Sequence, residues 1–192
     1  MKARRRAFAA LALALATLGV AQVGAAGWIH GRAWMAQRLI AASWQVARTS
    51  STAPRPWPGA DVRAVARLKV PSRGVDLYVL EEASARALAY GPAHVSGTAL
   101  PAQQGNAVLV AHRDTHFAFL RDVRVDDAIQ VEGANGAAAQ YRVREVGVVD
   151  QHETRVLDAT DASQLTLITC WPFDAVQPGT PLRFVVIARR VA

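Results

Sequence analysis

The sequence predicts a mainly β protein: a closed seven- or eight-stranded β-barrel with short helices, preceded by an N-terminal transmembrane helix. Three observations carry that expectation. Residues 7–29 form one apolar stretch led by Lys2, Arg4, Arg5 and Arg6. From Asp61 onward the chain breaks into short β-rich runs separated by turn residues. Within that part, "ASARALAYGP" reads as a short helix ended by Gly91-Pro92.

The 192 residues, 52% of them hydrophobic, suffice for one globular domain with a short attachment. The formal net charge of +7 first suggests nucleic acid. Its distribution excludes that partner. Residues 1–60 hold eight Lys/Arg and no acid, whereas residues 61–192 hold 14 Lys/Arg against all 15 acids. The body is near neutral and offers no basic groove for phosphates.

A helix over residues 7–29 spans roughly one hydrocarbon core. Its four leading cations favour the cytoplasm, which places the body on the periplasmic side of the inner membrane. A cleaved signal peptide is the competing reading, because "VGAAG" offers small residues. Both readings export the body. Export agrees with a single cysteine, which cannot mispair within its own chain.

Three segments follow: a basic tip and anchor over 1–30, a juxtamembrane helix and Pro-rich linker over 31–60, and the barrel over 61–192. Residues 30–50 place Trp34, Met35, Leu39, Ile40, Trp44 and Val46 at helical spacing. Trp28, Trp34 and Trp44 interleave with Arg32, Arg38 and Arg48. That pattern suits either a membrane-surface helix or a stalk packed on the domain. Pro54, Pro56 and Pro58 then make "SSTAPRPWPGAD" a linker or extended strap. "VARLKVPS" and "VDLYVLE" read as strands joined by "SRG", and "GNAVLVAHR" as a further strand. "DAIQVEG" and "AQYRVREVGVVD" flank the hairpin signal "ANGAA". "QLTLITC" and "LRFVVIARRV" are strands separated by the loop "WPFDAVQPGTP".

Strand parity singles out three residues. Val108, Val110 and His112 share a face, as do Thr166, Ile168 and Cys170, and Arg183, Val185 and Ile187. If the Cys170 and Arg183 strands are antiparallel neighbours, the loop 171–181 holds both residues at one rim. His112 joins them if its strand runs parallel to that of Cys170. A thiol becomes a strong nucleophile when a base or cation favours the thiolate. A histidine can protonate a leaving amine, and an arginine can hold a developing oxyanion. Taken singly, each residue has a plainer reading: a small core cysteine, a surface histidine, a solvated arginine. Their convergence favours catalysis. The order His, Cys, Arg differs from the Cys-then-His order of papain-like proteases.

"HRDTH" also permits a metal reading, since an extended strand would present His112, Asp114 and His116 on one side. Asp114-Thr115 equally reads as a helix start, which would turn His116 away from His112. No second cluster completes a ligand set, so no metal and no cofactor are expected.

"VAHRDTHFAFLRDV" and "LTLITCWPFDAVQPGTPLRFVV", behind an apolar leader, resemble a sortase, and the resemblance covers most of residues 60–190. "HRDTHF", "TCWPF", "PWPGAD" and "ALAYGPAH" are most similar to the Gram-negative, marine proteobacterial class. The family usually carries Gly before the catalytic His, and here Ala111 stands there, where its methyl would narrow the rim. The resemblance implies a sortase-like barrel and a membrane-anchored cysteine transpeptidase of the peptidase/hydrolase class. Cys170 would attack the Thr–Gly bond of a Leu-Pro-x-Thr-Gly-like C-terminal sorting signal on an exported protein. A thioester forms, and an amine from the cell envelope or a peptidoglycan precursor resolves it. His112 would be the acid/base and Arg183 the oxyanion donor. Thr169, Ala111, Trp171 and Pro172 would border the substrate, with loop 171–181 as a wall of its groove. Two other classes stay open. One is a thiol hydrolase that passes the acyl group to water. The other is a non-catalytic, membrane-tethered binding module with a buried, inert Cys170.

Overall fold

A computed structural model describes residues 2–49 and 54–191. The first four residues of the expected linker, 50–53, lie outside the described residues. The chain opens with α1 (Lys2–Thr49), one unbroken helix. It is long and apolar enough to cross a membrane. The expected anchor and the expected juxtamembrane helix are therefore continuous.

Eight strands follow: β1 (Ala64–Val70), β2 (Val75–Leu80), β3 (Ala93–His94), β4 (Asn106–Val110), β5 (Ala128–Gly133), β6 (Ala138–Asp150), β7 (Gln164–Trp171) and β8 (Leu182–Arg190). They close into a barrel in the order β1-β2-β3-β4-β7-β8-β6-β5. The ladder is antiparallel except at β2–β3 and β4–β7. The short helix α2 (Ala85–Leu88) is capped by the Ser84 side chain, which accepts from Ala87 N–H.

Alternation along each strand divides the apolar residues between two sides. The interior takes Leu68, Leu109, Tyr141, Leu167 and Val186. On the outside, Val108, Ile168 and Val185 form a second cluster, covered by Val156 and Leu157 from the turn Thr154–Leu157. Buried Asn106 secures that cover: its amide donates to Val156 O (3.0 Å) and Asp158 O (3.1 Å), and its carbonyl accepts from the Thr166 hydroxyl (2.7 Å).

A third cluster joins α1 to the barrel. Ala36, Ile40 and Trp44 pack on Tyr78 and Leu80 of β2, on Val62, and on Ala87 and Ala93. Gln37 supplies the polar match. Its amide donates to Tyr78 O (3.1 Å) and Tyr90 O (2.9 Å) and accepts from Tyr78 N–H (2.8 Å). Gly91 makes that approach possible, because a Cβ there would lie 2.5 Å from Gln37 Nε2. An ion pair of Arg48 with Glu132 of β5 ties the helix end. The segment thus packs on the domain along one stripe and leaves Trp34 and Met35 exposed on another.

Ile40 is fully buried in this contact. Ile40→Ala removes buried methylenes and leaves a cavity, so it should lower the unfolding free energy by about 2–5 kcal/mol. Urea unfolding of the detergent-solubilised chain measures this, and an unchanged midpoint would mean that the helix is not docked in solution.

Candidate active site

In the parallel ladder, Val110 is paired with Ile168, and Ala111 N–H donates to Ile168 O (3.4 Å). β4 ends at Val110, and His112 follows it by two residues just as Cys170 follows Ile168. On the other side of β7, Cys170 is paired directly with Arg183 of β8. Cys170 therefore has Arg183 directly across on one side and the segment leading to His112 on the other. Below them lies the apolar floor of Val108, Ile168 and Val185.

His112 is exposed, while Cys170 and Arg183 are partly exposed. Cys170 is a free thiol. The Arg183 guanidinium is held from behind: Nη1 donates to Thr180 O (2.6 Å) and Leu182 O (2.9 Å), and Nη2 to Gln151 Oε1 (3.0 Å). An arginine has five N–H donors. Three are used here, which leaves two to turn toward a reacting oxygen. Beside Arg183, a cavity of about 140 Å³ is lined by Val149, Thr154, Val156, Leu157 and Ile168.

Two expected substrate-bordering residues face the other way. Ala111 and Thr169 precede His112 and Cys170 by one residue, so the pleat turns both into the barrel. Ala111 belongs to the interior cluster, and its methyl does not narrow the rim. Thr169 is buried, and its hydroxyl donates to Ala111 O (2.8 Å). This bond joins the histidine-bearing and cysteine-bearing segments directly behind the reacting groups. Trp171 and Pro172 are partly buried at the rim. Trp171 stacks on Phe184, with ring centroids 5.7 Å apart.

A family model, the sortase domain, matches residues 68–191. The chain belongs to the sortase family. Sortase D of Bacillus subtilis (strain 168) is 27% identical over 125 residues, 65% of this chain and 62% of that relative. The chain thus spans less than two thirds of the length of that curated relative. Among solved structures, sortase C-1 from Actinomyces oris is 28% identical with a TM-score of 0.59, over 80% of this chain and 98% of that one. A Clostridium perfringens sortase D5 transpeptidase has a TM-score of 0.64 at 18% identity, over 85% and 99%. A lid mutant of sortase A from Corynebacterium diphtheriae has a TM-score of 0.62 at 23% identity, over 81% and 95%. The last two likenesses concern the fold alone.

Arg113 follows His112 in the chain and is tied to the loop 171–181. Its guanidinium donates to Ala175 O (2.8 Å), Gln177 O (2.9 Å) and Thr180 Oγ1 (3.2 Å), all in the loop 171–181. The residue after His112 thus clamps the loop after Cys170. Arg121 adds a second tie, its guanidinium lying 5.4 Å from the Phe173 ring centroid.

"HRDTH" does not form a ligand row. The chain turns after His112, with Phe117 N–H donating to His112 O (3.0 Å), and a 3-10 turn follows over Ala118–Asp122. His112 and Asp114 are exposed, whereas His116 is buried. Among the described residues no three His, Cys, Asp or Glu come together as a metal group. Burial, reinforced by the nearby His112, lowers the His116 pKa from 6.5 to about 4. His116 is neutral at neutral pH.

Two outcomes follow from this geometry. Thr169→Val should lower stability by about 1–2 kcal/mol through the lost buried bond. It should reduce kcat on a cognate signal peptide with little change in KM, while Thr169→Ser retains both; equal kinetics for Val and wild type would make the bond purely structural. His116 gives a pH effect. A histidine whose pKa falls on folding binds its proton more readily when unfolded, so stability is complete above about 6.5 and declines as pH falls toward about 4. The loss should reach about 3 kcal/mol. Urea midpoints across that window should drop in the wild type and flatten in His116→Gln.

Proposed function

We propose that this chain is a membrane-anchored cysteine transpeptidase acting on exported proteins that carry a Leu-Pro-x-Thr-Gly-like C-terminal sorting signal. The observation that supports this is the direct pairing of Cys170 with Arg183 on β8, beside the parallel Val110–Ile168 pair that leads to His112. Residues 1–30 act as basic tip and anchor in the inner membrane, 31–60 as the juxtamembrane part, and 61–192 as the periplasmic catalytic barrel. The motifs "HRDTHF" and "TCWPF" favour the Gram-negative class.

The Cys170 thiolate attacks the threonine carbonyl carbon. The two free donors of Arg183 receive the developing oxyanion. The Thr–Gly bond then breaks, and the glycine amine leaves with a proton from His112. The signal's leucine suits the small cavity that Val149, Val156, Leu157 and Ile168 line together with Asp150, Gln151 and Glu153. An acceptor amine attacks the thioester, its proton passes to His112, and the thiolate returns. Trp171 and Pro172 hold the start of the loop that borders the groove. No metal or cofactor enters these steps.

The partly exposed Cys170 supports this reading over a non-catalytic module, which requires a buried thiol. A hydrolase shares the acyl-enzyme and differs only in the acceptor, so added amine should yield amide product at the expense of free acid.

Incubated with such a peptide, the enzyme should gain the acyl fragment's mass, and Cys170→Ala should gain none. Arg183→Ala should fold and lose about 100-fold in kcat/KM, comparable to the loss of one oxyanion donor. Arg183→Lys should recover only part, since a point charge lacks the guanidinium fork. His112→Ala should be similarly impaired but with a changed pH profile. A folded Arg183→Ala with wild-type rates would reduce Arg183 to a solvated strand residue.

A further inference from the structure

The exposed stripe of α1 meets the Pro-rich strap at a groove of about 570 Å³, lined by Trp28, Trp34, Met35, Leu39, Trp57 and Tyr90. Trp28, Trp34 and Met35 are 71%, 59% and 52% exposed. So much bare aromatic surface on a soluble domain marks an interaction site. We propose that this groove binds a phospholipid and seats the barrel on the membrane surface, a reading that rests on the proposed membrane span of α1.

Three observations identify the occupant. First, the groove continues the span without a break: Trp28 belongs to both, and α1 is a single helix. Trp34 and Met35 lie roughly 8–9 Å along the axis beyond Ile29, within the headgroup layer. Second, the walls are tryptophan and tyrosine, the side chains suited to that layer. They come from both sides, Trp34 from the helix and the Trp57–Tyr90 edge-on pair from the barrel. Third, the margin is cationic. The Arg32 guanidinium lies 5.7 Å from the Tyr90 centroid, and that of Arg38 lies 5.1 Å from the Trp34 centroid. Neither is in an ion pair with a carboxylate among the described residues. A phospholipid supplies what this surface lacks: apolar chain for the groove and a phosphate for the arginines.

Seating the groove also fixes the height of the catalytic rim. On the other side of Trp34, a cavity of about 560 Å³ is bounded by His30 and Arg38 of the helix and by Thr115 and His116 of the barrel. The segment that carries His112 is thus level with helix residues 30–38.

Because Cys170 is the only cysteine, Cys170→Ala gives a thiol-free chain for spin labelling. Nitroxides at Leu15→Cys, Met35→Cys, Pro58→Cys and Leu100→Cys report the span, both groove walls and the opposite barrel end. The full chain is placed in phospholipid nanodiscs containing a lipid whose headgroup chelates Ni²⁺. Met35 and Pro58 labels should show strong relaxation enhancement, Leu100 none, and Leu15 should be accessible to oxygen but not to water-soluble nickel. Adding Met35→Glu should abolish the enhancement at Pro58. Met35 and Pro58 signals no stronger than Leu100, with Leu15 still in lipid, would overturn the lipid site and leave the span intact. A water-accessible Leu15 would overturn the span itself. Spin–spin broadening at Met35 that disappears on dilution with unlabelled chain would assign the groove to a second copy and overturn the lipid proposal.

Discussion

The site depends on one pairing, the parallel ladder between β4 and β7. Antiparallel neighbours present opposite ends at a given rim, as β7 and β8 do, so the end of β7 meets the start of β8. Parallel neighbours present like ends. His112 follows the end of β4 by two residues and Cys170 stands near the end of β7, so the parallel arrangement carries both toward one rim. A parallel pair requires a long crossover, and here it is the whole of β5 and β6. That long crossover is therefore what brings the histidine segment to the cysteine strand.

Strand pairing alone sets spacing along the rim but does not hold a side chain in place. The structure adds ties behind and beside the reacting groups. Thr169 bonds Ala111, each one residue before Cys170 and His112 respectively. Arg113, one residue after His112, holds three groups of the loop that follows Cys170. Gln151 and two loop carbonyls hold Arg183. Each neutral bond contributes only about 1 kcal/mol. Their value is in precision, since a small displacement of a catalytic group lowers the rate severely.

Much of this was legible because a strand has a side-chain period of two. Parity set His112, Cys170 and Arg183 each on the face of its strand's alternate apolar residues, while which strands are neighbours had to be assumed; the hairpin at "ANGAA" and the strands 164–171 and 182–190 were plain from composition. The same parity also put Ala111 and Thr169 on the opposite face. Assigning them to the substrate followed motif likeness where the pleat says interior. Other features carried no local signal. The three bonds of Gln37 go to backbone atoms of Tyr78 and Tyr90, and backbone is the same in any sequence. The apolar spacing of residues 34–46 indicated a helix, but Ile40 and Trp44 face the barrel while Trp34 and Met35 do not. Which stripe is covered depends on the partner surface.

That covered stripe ties the long helix to the domain. A linker of Gly, Ser or Pro between the apolar segment and the barrel would let the barrel tumble. Here the helix that leaves the apolar segment docks on β2 before any linker begins, through Ile40, Trp44 and the Gln37 bonds. The strap 54–60 then carries the chain back to β1 while Trp57 packs on Tyr90. Torque on the helix is transmitted to the barrel through β2 and the ion pair at β5. The helix also borders the segment that carries His112, because His30 and Arg38 line one cavity with Thr115 and His116. The stripe docked on β2 therefore fixes the barrel relative to the helix, and the barrel does not move as a freely tethered domain.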